Sequence, residues 1–276
     1  MQDKMILSVN KLTVTEKKTA QTIINQLTFT VQRNSFLGVF GPSGSGKTTL
    51  LSTLMRICPA TLVATGEIIY LPDVNKELLI QQGEIINKEL KLSQDLSYIP
   101  QNAIEAFDPI EKMGTQFEET FYENSVDKLT IRERITELLV KMDLPESVLS
   151  KYPFQLSGGM LQRCAIGLTL VLQPKVIIAD EPTAALDSIT KKRVVDLFSE
   201  LKKEKKTTLL LATHDIGLLD FLCDEVLIVV EGEKIVQKNL FPIDVTDQSY
   251  LGKVRKTKQK LSAPFERLRH EKLARN

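Results

Sequence analysis

Charge of one sign is what this chain of 276 residues most plainly lacks. Its 36 Lys and Arg nearly cancel 35 Asp and Glu, leaving a formal net charge of +1. No global field therefore marks it as a nucleic-acid binder. Cysteine is scarce as well. Cys58, Cys164 and Cys223 lie far apart, match no zinc or disulfide spacing, and by their odd number suit a reducing compartment. No apolar run approaches the ~20 residues that cross a bilayer. The N-terminal MQDKMILSVNKL has no signal-peptide apolar region. The expectation is a protein of the cytoplasm. The rest of the composition is ordinary for a globular protein, and the length allows one large domain or two small lobes. No internal repeat is present.

The informative stretch is GPSGSGKTT, with Gly41, Pro42, Ser43, Gly44, Ser45, Gly46, Lys47, Thr48 and Thr49. It fits G-x-x-x-x-G-K-[ST], follows the apolar run Phe36–Phe40 and precedes a helical run through Leu50, Leu51 and Leu54. Strand, glycine loop and helix are the context this motif requires. Loop N–H groups and the positive end of the helix dipole then face one point, which suits a phosphate chain. Lys47 is expected to reach the outer phosphates and Thr48 to ligate Mg²⁺.

Apolar patterning predicts strands at Met5–Val14, Ile23–Val31, Phe36–Phe40, Gly66–Leu71, Leu96–Pro100, Val176–Ala179, Thr207–Thr213 and Val226–Val230. Residues 72–95 are polar and mixed, with short apolar runs (Leu78–Ile80, Ile85–Ile86) that fit a strand or short helix. From 103 to 156 apolar positions recur at helical spacing: Phe117, Phe121, then Ile131, Ile135, Leu138, Leu139 and Met142. This reads as a helical insertion between two strands of an α/β core. Helices are expected at about Gly159–Leu172, stopped before Pro174, and at Ile189–Lys203.

The strand VIIAD-E ends in two carboxylates. Asp180 is placed to hold Mg²⁺ and Glu181 to polarise an attacking water as general base. Residues 156–160 read LSGGM at a helix start, so Ser157, Gly158 and Gly159 make a second anion site. One triphosphate does not need two such cradles from one chain. Two chains head to tail do, with Lys47 of one and Ser157 of the other gripping each γ-phosphate.

On these three stretches the chain resembles the nucleotide-binding subunit of an ABC transporter, over roughly residues 5–240. GPSGSGKTT resembles the Walker A loop, VIIADEP the Walker B strand, and LSGGM the family's own motif. The resemblance implies a P-loop, RecA-like α/β core with a small antiparallel β subdomain and a helical insertion subdomain. It divides the chain into a nucleotide-binding domain at 1–252 (core and β subdomain about 1–102 and 157–240, helical subdomain about 103–156) and a tail at 253–276. It also assigns roles. Gln101 matches the glutamine that senses Mg²⁺ and the attacking water. Asp187 matches the loop that contacts the other subunit. His214 matches the switch histidine on the γ-phosphate; read alone, it is an ordinary strand-end histidine. The implied ligands are ATP and Mg²⁺. The implied partners are a second ATPase subunit (paralogue or self), two transmembrane permeases and, indirectly, an extracellular substrate-binding protein. The implied location is the cytoplasmic face of the membrane. PFQLSGGMLQR, IADEPTAALD and IPQNAIEAFDP look like the oligopeptide, dipeptide and nickel importer branch, with SGGMLQR leaning toward nickel or metal chelates. The tail has no cysteine-rich segment, so no iron–sulfur cluster is expected.

Other readings lack their marks. A nucleic-acid-directed ATPase of this superfamily carries long heptad coiled coils, whereas this insertion of about fifty residues has no sustained heptads. A translation factor carries two cassettes, and this chain has one. A GTPase would show N-K-x-D, but both NKEL stretches end in Leu. One departure from the family stands out. Many relatives stack adenine on an aromatic after the first strand. Here Thr15 or Glu16 stands there, and no Phe, Tyr or Trp lies between residues 1 and 28. Weaker base binding or looser nucleotide selectivity is expected. The tail carries nine Lys or Arg against two Glu. It is read as a mobile terminus or as a basic helix (Leu261, Phe265, Leu268) for an anionic surface.

Overall fold

The computed structural model describes residues 5–73, 76–81, 84–85, 95–124, 127–230 and 233–238. The basic tail, and Ile86 of the 72–95 region, lie outside them. Two sheets form the frame. One is antiparallel, in the order β2-β1-β4-β5-β6, from β1 (Met5–Glu16), β2 (Thr22–Gln32), β4 (Leu62–Asp73), β5 (Lys76–Gln81) and β6 (Glu84–Ile85). The other runs β11-β10-β3-β9-β8-β7. Its members are β3 (Phe36–Phe40), β7 (Leu96–Ile99), β8 (Val176–Asp180), β9 (Thr208–Ala212), β10 (Glu225–Val230) and β11 (Glu233–Lys238). All pairs in it are parallel except β10 with β11.

The loose alternation of β1 has a physical cause. Leu7 and Val9 point inward at odd positions, Leu12 and Val14 at even ones, and all four are buried. The register against β2 shifts between Val9 and Leu12, where Lys11 takes φ 49°. That bulge resets the inward face by one residue. β4 begins at Leu62, four residues before the expected Gly66. Gly66 is the partner of this irregularity: its φ is 104°, and a Cβ there would meet Lys11 O at 2.5 Å.

The central strands β3, β8 and β9 are buried at every position, as a parallel sheet covered on both faces requires. Alternate residues enter two separate cores. Leu37, Val39, Ile178 and Leu210 pack with the antiparallel sheet and α1 (Lys47–Leu54). Phe36, Phe40, Ile177, Leu209 and Leu211 pack on the opposite face. That second core includes α4 (Gly158–Leu172), α5 (Ser188–Glu204) and α6 (Ile216–Leu222). Each buried aliphatic side chain contributes about 1.5–3 kcal/mol, so the two-sided sheet is the stable platform.

Between β7 and α4 the regular elements of the described chain are all helical. α2 (Met113–Glu123) buries Met113, Phe117 and Phe121, one apolar stripe at steps of four. α3 (Lys128–Met142) lays Ile131, Ile135, Leu138 and Met142 into the same core. Gly167 lets α3 cross α4 closely, since a Cβ there would stand 2.6 Å from Met142 Cγ and 2.9 Å from Leu138 Cγ. The expected α/β core, antiparallel β portion and helical insertion are therefore all present.

Candidate nucleotide site

Parallel register delivers the chemistry to one edge. Val39 pairs with Ala212, and Ala212 with Asp180. The chain leaving β3, β8 and β9 therefore emerges side by side, as residues 41–46, Asp180–Glu181 and Thr213–His214. Strand C-termini of an open parallel sheet are where such folds bind ligands.

The loop after β3 is built by its glycines. A Cβ on Gly41 would lie 2.2 Å from Val229 O and 2.6 Å from Ser45 Oγ, so no larger residue fits. Gly44 and Gly46 take φ 82° and 92°, the left-handed region that only glycine enters at no steric cost. Gly46 caps α1 without a side chain, so the first-turn N–H groups keep their donors for a ligand. Ser45 Oγ is buried with no protein partner. Lys47 Nζ donates to Gly41 O and Pro42 O, both at 2.9 Å, which folds the ammonium over the cradle. Ser43, Gly44 and Thr48 are exposed, so the cradle opens to solvent.

Asp180 is 1% exposed, and its Oδ2 has no partner in the protein. Burial pushes its carboxyl above the usual range; the Thr48 hydroxyl and the Lys47 ammonium pull it back, and Glu181 adds to the rise. A buried carboxylate oxygen without a partner, beside a threonine hydroxyl, suits a hard divalent cation. Mg²⁺ is typically held by one or two protein oxygens, with phosphate and water completing the shell. Among the described residues no group of three or more His, Cys, Asp or Glu converges, as a dedicated protein cage would need. The nearby Tyr98 phenol is also pushed up, by burial first and then by the carboxylates of Asp180 and Glu105.

Glu181 sits in a strained conformation, φ 44°, immediately before Pro182. Such backbone costs about 1–3 kcal/mol and persists only where neighbours over-determine it. Its N–H donates to Ala212 O at 2.8 Å. Its Oε2 accepts from Thr213 Oγ1 at 3.0 Å, and its Oε1 accepts from the His214 N–H at 2.8 Å. His214 Nδ1 lies 2.6 Å from the same Oε1, with the ring 70% exposed. Carboxylate and imidazole thus form one unit. Thr213, buried in this unit, was missed by sequence reasoning. Only its place at the end of an apolar strand hinted at it.

Gln101 follows β7 on an exposed bend at the same edge. The residue before it is tied to the helical side, because Gln162 Nε2 of α4 donates to Pro100 O at 3.4 Å. Ser157 caps α4, its Oγ accepting from Met160 N at 3.2 Å. Nothing lies within 4 Å of a Cβ on Gly158, and one on Gly159 would meet only Ala185 O, at 3.5 Å. Among the described residues no hydrogen bond joins 157–159 to the loop at 41–48. Asp187 is exposed and caps α5, its Oδ1 accepting from Ile189 N and Thr190 N, each at 3.0 Å. Those bonds hold its carboxyl below the usual range. The structure therefore gathers 41–49, Asp180, Glu181 and His214 into one constellation, with Ser157–Gly159 and Asp187 presented to solvent.

Comparison with known proteins gives consistent results. Residues 24–184 match the family model described as ABC transporter. The chain is 35% identical over 235 residues to the metal-staphylopine import system ATP-binding protein CntD of Staphylococcus aureus, covering 84% of this chain and 85% of that protein. It is 35% identical to the dipeptide transport ATP-binding protein DppD of Caldanaerobacter subterraneus, covering 77% of this chain and 65% of that one. Among solved structures, one resembles it at TM-score 0.70 and 26% identity, covering 84% of this chain and 98% of the other. That one is an ATP-binding cassette described as a dimer in a post-hydrolysis state bound to ADP and Pi.

Proposed function

The chain belongs to the ABC transporter family and is an ATP-binding ATPase subunit, and from that premise we propose that it is the motor of an import complex, working at a head-to-tail interface. The observation that carries this reading is the pairing of one closed constellation with one open turn. The cradle at 41–48 has its own base, Glu181, while the glycines at 158 and 159 serve no packing need of this chain.

In this reading Gly41–Thr49 wrap the phosphates and Lys47 leaves the carbonyls of Gly41 and Pro42 for the outer phosphates. Thr48 and Asp180 would hold Mg²⁺, with Gln101 on the same side, and the ion would supply charge neutralisation at the phosphates. Glu181 takes the proton of the attacking water once His214 turns its imidazole toward the γ-phosphate. The 2.6 Å contact ties the imidazole to Glu181 Oε1, and releasing it frees that oxygen for the water. Ser157, Gly158, Gly159 and Asp187 face the nucleotide of the second subunit. ATP acts as the glue of the closed pair, by mass-action linkage. Closure moves the helical portion, and with it the permeases docked near Gln101 and residues 103–120. The motor then sits at the cytoplasmic face of the membrane; among the described residues no helix is long and apolar enough to cross it. The cargo is a small solute, a peptide, nickel or a metal chelate. SGGMLQR and the likeness to the metal-staphylopine subunit favour the chelate.

The decisive measurement is on Glu181→Gln. It is expected to bind ATP, to run as a dimer by light scattering in ATP but not ADP, and to hydrolyse at least ~10²-fold more slowly, as loss of a general base implies. Parental turnover would remove Glu181 from the base role, and a chain that stays unpaired in ATP both alone and with its motor partner would remove the shared interface.

A further inference from the structure

We propose that Tyr152 and Phe154 form a stacking platform for the purine base of the nucleotide held by the second subunit. The inference rests on the head-to-tail reading above and adds a base-recognition site to it. Two observations lead to it, one at each end of the nucleotide.

The first is a shortage on the cradle side. Ile23 O and Cγ2 stand 3.3 Å from where a Gly46 Cβ would lie, so the start of β2 borders the phosphate loop. The strand ends and turn there, Thr15 to Thr22, hold no ring, and none occurs from residue 1 to 28. This edge offers a base no ring to stack on.

The second is an aromatic pair just before the open turn, Tyr152 half-buried and Phe154 exposed. The rings of Tyr152 and Phe154 stack at 5.6 Å with 10° between their planes. Phe154 remains 65% exposed, so its outer face is free of protein. The pair is held rigidly. Pro153 between them is buried; Tyr152 N donates to Gln155 Oε1 at 2.9 Å, Gln155 N donates to Tyr152 O at 2.9 Å, and Leu156 N donates to Pro153 O at 3.1 Å. A hydrophobic ring of this size is ordinarily buried; here a hydrogen-bonded turn displays it instead. Phe154 is three residues from Ser157, so at most ~10 Å separate their Cα atoms. Whatever places Ser157 at the partner's γ-phosphate also brings this ring to that nucleotide. A flat, preorganised π-face accepts any base, and more strongly the larger purines.

The test uses the full chain carrying Glu181→Gln with its motor partner, and reads the nucleotide concentration giving half-maximal closure. Two ligands are compared: ATP, and ribose 5′-triphosphate, which lacks the base. Phe154→Ala is expected to raise the ATP concentration about tenfold, within the range that base stacking supports. It is expected to leave the ribose 5′-triphosphate value unchanged, and Phe154→Trp to restore the ATP value. An equal loss with both ligands would show Phe154 acting on the fold, and no loss with ATP would show the ring serving another surface. Either overturns the platform. If Glu181→Gln alone never closes in ATP, the head-to-tail reading fails instead.

Discussion

The two glycine-rich turns of this chain look alike in sequence and differ in what surrounds them. At 41–46 the protein leaves no choice: Gly41 lies against the Val229 carbonyl, and Gly44 and Gly46 hold left-handed φ. At 158–159 the backbone is ordinary helix start and the space beside Gly158 is empty. Glycine is required in the first case by this chain's own packing. In the second, this chain's own packing makes no such demand. On the proposed reading, the cradle with internal demands is complete in one subunit and the turn without them meets a partner's ligand.

The comparison breaks if both turns respond alike to a methyl group. Gly41→Ala forces Val229 or the loop to move, an overpacking that costs roughly 1–3 kcal/mol or more. The expected result is a melting temperature lower by about 5 °C, together with loss of ATP binding by the isolated chain in calorimetry. Gly158→Ala is expected to melt within ~1 °C of the parent and to bind ATP equally well, as a surface change should. Its ATPase should nonetheless fall by ~10², the scale of losing one preorganised donor site. A stable, active Gly158→Ala protein would mean the turn faces no ligand.

Much of this was legible in the chain, and the parts that were not have identifiable causes. The buried parallel strands announce themselves as unbroken apolar runs, and α2 by phenylalanines four apart. α6 was not anticipated, although Asp215 caps it through Leu218 N at 3.2 Å. Its seven residues are apolar on nearly every side, so no helical period shows. The start of β4 was hidden because Gly66 reads as a boundary when it is a bulge partner in mid-strand. At the site, the residue types and their order along the chain were readable from motifs. The Glu181 conformation and its contact with His214, 33 residues away, were not. Those arise from how the ends of β8 and β9 meet, which no local pattern encodes.

Asp180 sharpens the cradle side. Its folded pKa stands above the ordinary 3.8, chiefly through burial, so the native chain holds that proton more tightly than the unfolded chain does. That contribution to stability is present below the ordinary value and is lost as pH rises through the folded one. At neutral pH the buried carboxylate is therefore a cost to the fold that a bound cation would offset. Asp180→Asn is expected to raise the melting temperature in chelator by ~2–4 °C at pH 7, with the gain shrinking toward pH 4. Mg²⁺ should then add less stabilisation beyond that of ATP alone than it does in the parent. A variant that melts lower at pH 7, or responds to Mg²⁺ as fully as the parent, would remove Asp180 from the cation.

The smallest expected effect discriminates best on the partner side, where Asp187 has two candidate duties. As the cap of α5 it satisfies the N–H groups of Ile189 and Thr190, worth about 1 kcal/mol. As a residue of the open surface it would also meet the second subunit. Asp187→Ala loses both and should melt roughly 2–4 °C lower. Asp187→Ser keeps a capping oxygen, so the melting temperature should return to within ~1 °C of the parent. The ATPase then decides. If the cap is its whole duty, serine restores turnover along with stability. If the carboxylate also reaches across the interface, the serine variant is stable and still slow. Within this chain the second carboxylate oxygen also accepts from Thr190 Oγ1 at 2.7 Å, and its charge suits the helix N-terminus, so stability alone accounts for an aspartate here and turnover of the serine variant is what assigns the second duty.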